Sequence, residues 1–147
     1  MNSTDKALAV MRRQVRAADE VSLINKRAYN IFRSMRERAK EIGHESEIDF
    51  DVEWLRGMSR TQVGLPCQWC KRTLTAKNFS WDHPKPIIRG GSFCRMNLLC
   101  ICSVCNGQKG QLHSDEFAQL RNLLEGFAQQ AKADVLRRLG LGARWRS

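Results

Sequence analysis

The sequence predicts an α+β fold: a small metal-stapled core of two short strands and a helix, flanked by long N-terminal and C-terminal helices. Three observations predict it. Two Cys-x-x-Cys turns, Cys67–Cys70 and Cys102–Cys105, are separated by 31 residues. Two short runs, 78–83 and 98–101, have strand character and end at prolines or at the second Cys turn. Apolar residues recur at helical spacing before and after this centre. At 147 residues the chain has room for about one domain's core.

Thr4 or Asp5 caps a helix reaching Ile42, with Gly43 as its stop. Leu8, Met11, Val15 and Ala18 form one apolar stripe. Val21, Ile24, Ala28, Ile31, Met35, Ala39 and Ile42 form a second, offset by one step, which predicts a kink near Asp19–Ser22. Such a helix serves either as an intramolecular strap or as a dimer seam. Asp49 or Asp51 caps a short helix over 52–60, with Phe50, Trp54, Leu55 and Met58 inward, and Gly64 and Pro66 end it. Strand 78–83 is closed by Pro84 and Pro86, and Arg89-Gly90-Gly91 forms a loop. Strand 98–101 leads into a helix from Ser103 to about Gly110. Ser114, with Asp115 and Glu116, caps a final helix whose stripe runs Phe117, Leu120, Leu124, Phe127, Ala131, Val135, Leu139 up to Gly140. His113 sits at the helix junction, and the tail with Arg144-Trp145-Arg146 is loose or touches nucleic acid. These elements divide into an N-terminal basic helical arm (1–43), a core with its preceding short helix (44–112), and a C-terminal helix with a basic tail (113–147).

The net charge of +10 favours a polyanionic partner, because phosphates neutralised by Lys and Arg release counterions. The charge is uneven: residues 44–62 net −3, whereas 63–112 hold seven bases and a single acid, Asp82. One carboxylate in the most basic stretch is better explained as a metal ligand than as a solvated face. No apolar run of about 18 residues is present, which excludes a transmembrane helix. The first residues lack the apolar core of a signal peptide. The expected location is therefore cytoplasmic, where paired Cys turns bind metal more often than they form disulfides. Four thiolates at this spacing suit a structural Zn²⁺, contributing about 10 kcal/mol or more to folding. Cys100 reads as buried core and Cys94 as loop, either being a substitute ligand.

Between the two turns stand Asp82-His83, Gly90-Gly91 and Asn97, and directly after them Asn106 and Lys109. The order Cys67-x-x-Cys70, Asp82-His83, Asn97, Cys102-x-x-Cys105-Asn106-x-x-Lys109 resembles the HNH endonuclease family, His-Me finger nucleases with a ββα-metal core. The resemblance covers about residues 64–112, a third of the chain. It implies that Asp82 ligates a hard divalent ion and that His83, on the other side of the strand, is the general base. Asn97 would hold the His83 loop through side-chain to backbone hydrogen bonds, and Asn106 would be the second protein ligand. Asn stands there where many relatives have His. Lys109 would lie near a phosphate or the helix end.

Phosphodiester hydrolysis asks for an activated water and relief of charge on the leaving 3′ oxygen. A carboxylate and an amide oxygen suit catalytic Mg²⁺ or Mn²⁺, and an unperturbed His titrates near pH ~6.5. Lys71, Arg72, Lys77, Lys85, Arg89 and Arg95 would line the approach of DNA, with Trp69 and Trp81 either core or stacking platforms. The expected partner is DNA, with RNA or branched DNA as variants, and a homodimer or protein partner on the N-terminal helix. Small free-standing chains of this kind resemble phage and mobile-element nucleases. The competing readings are a junction-resolving nuclease of the endonuclease VII type and a non-catalytic zinc module that binds nucleic acid or a host protein.

Overall fold

The computed structural model describes residues 2–140. Helix α1 (Ser3–Glu41) begins at Asn2, whose side chain accepts from the Asp5 N–H while Asp5 accepts from the Asn2 N–H. This reciprocal cap places the start just before the expected Thr4 or Asp5. The helix runs unbroken, without the break expected near Asp19–Ser22. The physical reason is that the first stripe meets no surface: Leu8, Met11 and Val15 are exposed, so its offset needs no bend. Only the second stripe packs, burying Ile24, Ala28, Met35 and Ala39. The second half of α1 therefore straps the core, lying along α2 (Val52–Gln62). Asp51 caps α2 by accepting from the Trp54 N–H.

The acidic stretch between these helices ties down a distant loop. Glu47 accepts from the Phe93 N–H at 3.1 Å and Asp49 from the Arg95 N–H at 2.7 Å. Strands β1 (Phe79–Asp82) and β2 (Leu99–Cys102) pair antiparallel, with Trp81 opposite Cys100 and Asp82 opposite Leu99. Helix α3 (Ser103–Lys109) follows at once, its first N–H donating to Asn78 O at 2.7 Å. On the other side, Arg27 Nε donates to Phe79 O at 2.6 Å and so locks α1 to β1. Ile24 and Ala28 of α1, Leu55 of α2 and Phe79, Trp81 and Ile101 of the sheet share one core. The second half of the arm is thus packed onto the core. Trp81 is a core residue, its indole N–H donating to the buried Ser59 hydroxyl at 3.0 Å.

The C-terminal helix expected from 114 to 139 is two helices, α4 (Ser114–Leu123) and α5 (Gln129–Gly140). Packing decides this. Phe117, Leu124 and Leu136 bury themselves together, whereas a continuous helix would hold residues 117 and 136 about 28 Å apart at ~1.5 Å per residue. The chain therefore turns through Gly126 and brings α5 back onto α3. Gly140 makes that return possible: a Cβ there would lie 2.4 Å from Gln108 O, and its own carbonyl accepts from the Gln111 N–H at 2.8 Å. The Arg144-Trp145-Arg146 tail lies outside the described residues.

Candidate active site and metal centre

The first Cys turn is closed by the Cys67 N–H to Arg72 O bond at 2.7 Å, with Lys71 in the left-handed region at φ 64°. The second turn straddles the junction of β2 and α3, where the Cys105 N–H points to Cys102 Sγ at 3.4 Å. The four sulfurs of Cys67, Cys70, Cys102 and Cys105 all lie within 4.8 Å of one another. Cys70 and Cys102 are 3.7 Å apart, close to the ~3.8 Å edge of a tetrahedron with Zn–S bonds of about 2.3 Å. Burial raises the Cys67 thiol, but N–H groups of Cys102, Cys70 and Trp69 outweigh it and bring it down to about 7. Burial pushes Cys102 and Cys105 up, so four thiolates this close need a cation among them. The cluster is built to hold a metal ion. Cys94 and Cys100 stand outside it; Cys100 is core, its thiol raised by burial to about 12.

Asp82 ends β1, His83 follows it, and Asn106 sits on the first turns of α3. All three line one cavity of about 510 Å³. His83 is 8% exposed; its Nδ1 donates to Asn97 O at 3.0 Å, and its Nε2 is buried with no hydrogen-bond partner. With the proton on Nδ1, Nε2 is left as an acceptor. Burial, assisted by the Arg38 and Lys109 charges, lowers His83 to about 4, well below the ordinary value expected of it. The ring is therefore neutral near pH 7.

Asn97 organises the loop under that ring. Its side chain accepts from the Lys85 N–H at 3.0 Å and donates to Lys85 O and Ser92 O at 2.8 and 2.9 Å. Only glycine fits at position 91, because a Cβ there would lie 1.9 Å from Lys85 O and 2.9 Å from the Asn97 amide nitrogen. Asn106 donates its amide N–H to Ser80 Oγ at 2.6 Å, which leaves its carbonyl oxygen as the atom available to an ion.

Lys109 is the last residue of α3, so it stands at the helix end, one of the two places expected for it. It is fully buried, so it is no surface contact for phosphate. Its Nζ donates to Asp82 Oδ1 at 3.2 Å and to His83 O at 3.0 Å. It is also 3.1 Å from Asp82 Oδ2, off the direction of a hydrogen bond, so Oδ2 remains a buried acceptor without a donor. Burial raises Asp82 despite the ammonium beside it. A carboxylate oxygen without a donor and an amide oxygen in one cavity form a donor set that fits a hard divalent ion.

Of the expected phosphate contacts, Lys71, Arg72, Lys77 and Lys85 are exposed. Arg89 is paired with Glu116 and Arg95 with Asp49, so both already carry a carboxylate partner. Three cavity residues carry no signal in the sequence: Arg38 and Glu41 from the last turns of α1, and Gln111 after α3. A basic and an acidic residue at a helix end look like any solvated turn, and only the packing of α1 across the sheet brings them here.

Two strands and a helix stapled by four cysteines, with an imidazole and a carboxylate at the strand end, define a ββα metal module. Residues 67–121 match the model of the HNH endonuclease family. Helices α1, α2 and α5 lie outside the match. A comparison of the chain with curated proteins gives no match. No helix among the described residues is long and apolar enough to cross a membrane.

Proposed function

We propose that this chain is an endonuclease that hydrolyses DNA phosphodiester bonds, with His83 as general base and a divalent ion held by Asp82 and Asn106. One observation carries the reading: the His83 Nε2 is an unpartnered buried acceptor in the same cavity as Asp82 and Asn106. His83 Nε2 takes the proton of the attacking water while the Asn97 carbonyl holds Nδ1–H and keeps the tautomer. The low basicity that burial imposes rises again when a phosphate anion enters beside the ring. Asp82 and Asn106 fit Mg²⁺ or Mn²⁺, which supplies charge neutralisation at the phosphoryl and leaving oxygens. The four cysteines hold a structural Zn²⁺ that fixes α3 against β1 and so sets the spacing of Asn106 from Asp82.

The test is nicking of supercoiled plasmid by the full chain and by His83→Ala, each with added Mg²⁺ or Mn²⁺. Cutting by the parent and little by the variant is expected; equal cutting by both, or none by the parent with either metal, refutes the proposal. A second reading, a junction-resolving nuclease acting as a dimer, is supported by the exposed stripe Leu8, Met11 and Val15 on α1. Light scattering at micromolar concentration decides it: a dimer supports this reading and a monomer removes it.

A further inference from the structure

A second cavity, of about 490 Å³, lies between the first Cys turn, α3, α4 and α5. Three cations, Arg72, Arg121 and Lys132, line it together with Trp69 and the cluster cysteines Cys70 and Cys105, and no Asp or Glu is among its lining residues. Arg121 is fixed, donating from Nη2 to Trp69 O at 3.0 Å with its guanidinium over the Phe117 ring. The Trp69 indole N–H is buried and has no acceptor among the described residues. The side chains of Arg72 and Lys132 form no ion pair among the described residues.

This cavity is distinct from the one that holds His83, and the two share no lining residue. Helix α3 separates them. Asn106 faces the first, Val104 and Gln108 the second, and residues two apart on a helix point roughly 160–200° from each other at 3.6 residues per turn. Three cations, the amide groups of Gln108 and Gln129 and an indole N–H without an acceptor supply the donors by which phosphate is recognised.

We propose that this cavity is a second phosphate-binding site, in which Arg72, Arg121 and Lys132 hold a backbone phosphate of bound nucleic acid on the face of α3 opposite the cutting site. The inference rests on the nucleic-acid reading of the chain but not on catalysis. A contact there fixes the register of the strand relative to His83 without reading sequence.

The test uses the full chain carrying His83→Ala, without divalent ion, so that binding is read apart from cleavage. Affinity for a 20-base-pair duplex is measured between 50 and 200 mM salt with and without Arg72→Gln and Lys132→Gln together, bound zinc and circular dichroism being matched first. The pair should weaken binding several-fold and flatten the log–log salt slope by about 2, one contact for each cation. Calorimetric titration with inorganic phosphate forms the second arm. Unchanged duplex affinity and slope, with phosphate binding lost in the double variant, assigns the cavity to a free phosphate compound and overturns the nucleic-acid contact. No change in either arm overturns the site altogether. Failure of catalysis alone would show differently, as uncut plasmid with duplex binding intact.

Discussion

Replacing Lys109 by Met should be among the most damaging single changes in this chain, because it breaks a buried ion pair while keeping the side-chain volume. The ammonium is fully buried and sits 3.1 and 3.2 Å from the two Asp82 oxygens, with a third contact at 3.0 Å to His83 O. Removing one partner of such a pair costs about 3–5 kcal/mol, since the remaining charge stays buried and unpaired. For a chain of this length that corresponds to a fall in Tm of about 10–15 °C. Asp82 escapes part of the loss by protonating, and burial already raises its pKa.

The sign follows from linkage. A native carboxyl that titrates above its unfolded value binds more protons than the unfolded chain in that window, so the stability of Lys109→Met falls as pH rises through it. Urea denaturation at several pH values, at constant zinc, reads both the loss and its slope. Adding Asp82→Asn should restore much of the loss, because the buried charge goes with its partner. Mn²⁺ should raise the Tm of Lys109→Met more than that of the parent, a divalent ion taking over the role of the ammonium. A loss under about 1 kcal/mol, or no recovery in the double variant, would refute the ion pair as the support of the strand end.

Three further outcomes follow from the same geometry. Cys67→Ser or Cys105→Ser should lose bound zinc and soluble fold together; a stable, zinc-free protein by metal analysis and circular dichroism contradicts the structural role of the cluster. Gly91→Ala should cut plasmid nicking and destabilise the fold, since its Cβ would collide with the Lys85 carbonyl and displace the Asn97 clamp; parental activity and urea midpoint in this variant would remove the clamp from the mechanism. His83 titrates at about 4 in the fold against about 6.5 unfolded, so stability should fall as pH drops through that window, by at most about 3 kcal/mol. His83→Gln should flatten that dependence, and an identical pH profile for parent and variant in urea titrations would show that His83 is not held neutral by burial.

The parts of the fold that were legible in the sequence are those whose information is local. Asp51 capping α2 depends on neighbours three residues away, and the strand ends at Asp82 are set by the prolines that follow. The four cysteines were legible for a related reason: a Cys-x-x-Cys turn states its own geometry, and the two turns bring four sulfurs together where a metal ion would join them. Asp82 and His83 stood out because one carboxylate in a basic stretch and an adjacent imidazole carry unlike chemistry side by side. The periodicity of α1 also marked which of its residues are apolar, but not which of them find a surface, and so the expected kink did not appear.

What the sequence by itself determined is the metal cluster, the strand–strand–helix order and the identity of the polar residues at the strand end. Only the tertiary structure decided that Lys109 turns inward to Asp82 and that Glu47 and Asp49 hold the 92–95 loop. Tertiary packing also set the fold-back of α5 onto α3 and the placing of Arg38 and Glu41 in the His83 cavity. Each of these joins residues 26 or more positions apart. A lysine or glutamate has the same local propensity whether it faces water or a buried partner, so the choice is made by packing and by the cost of leaving a buried charge alone.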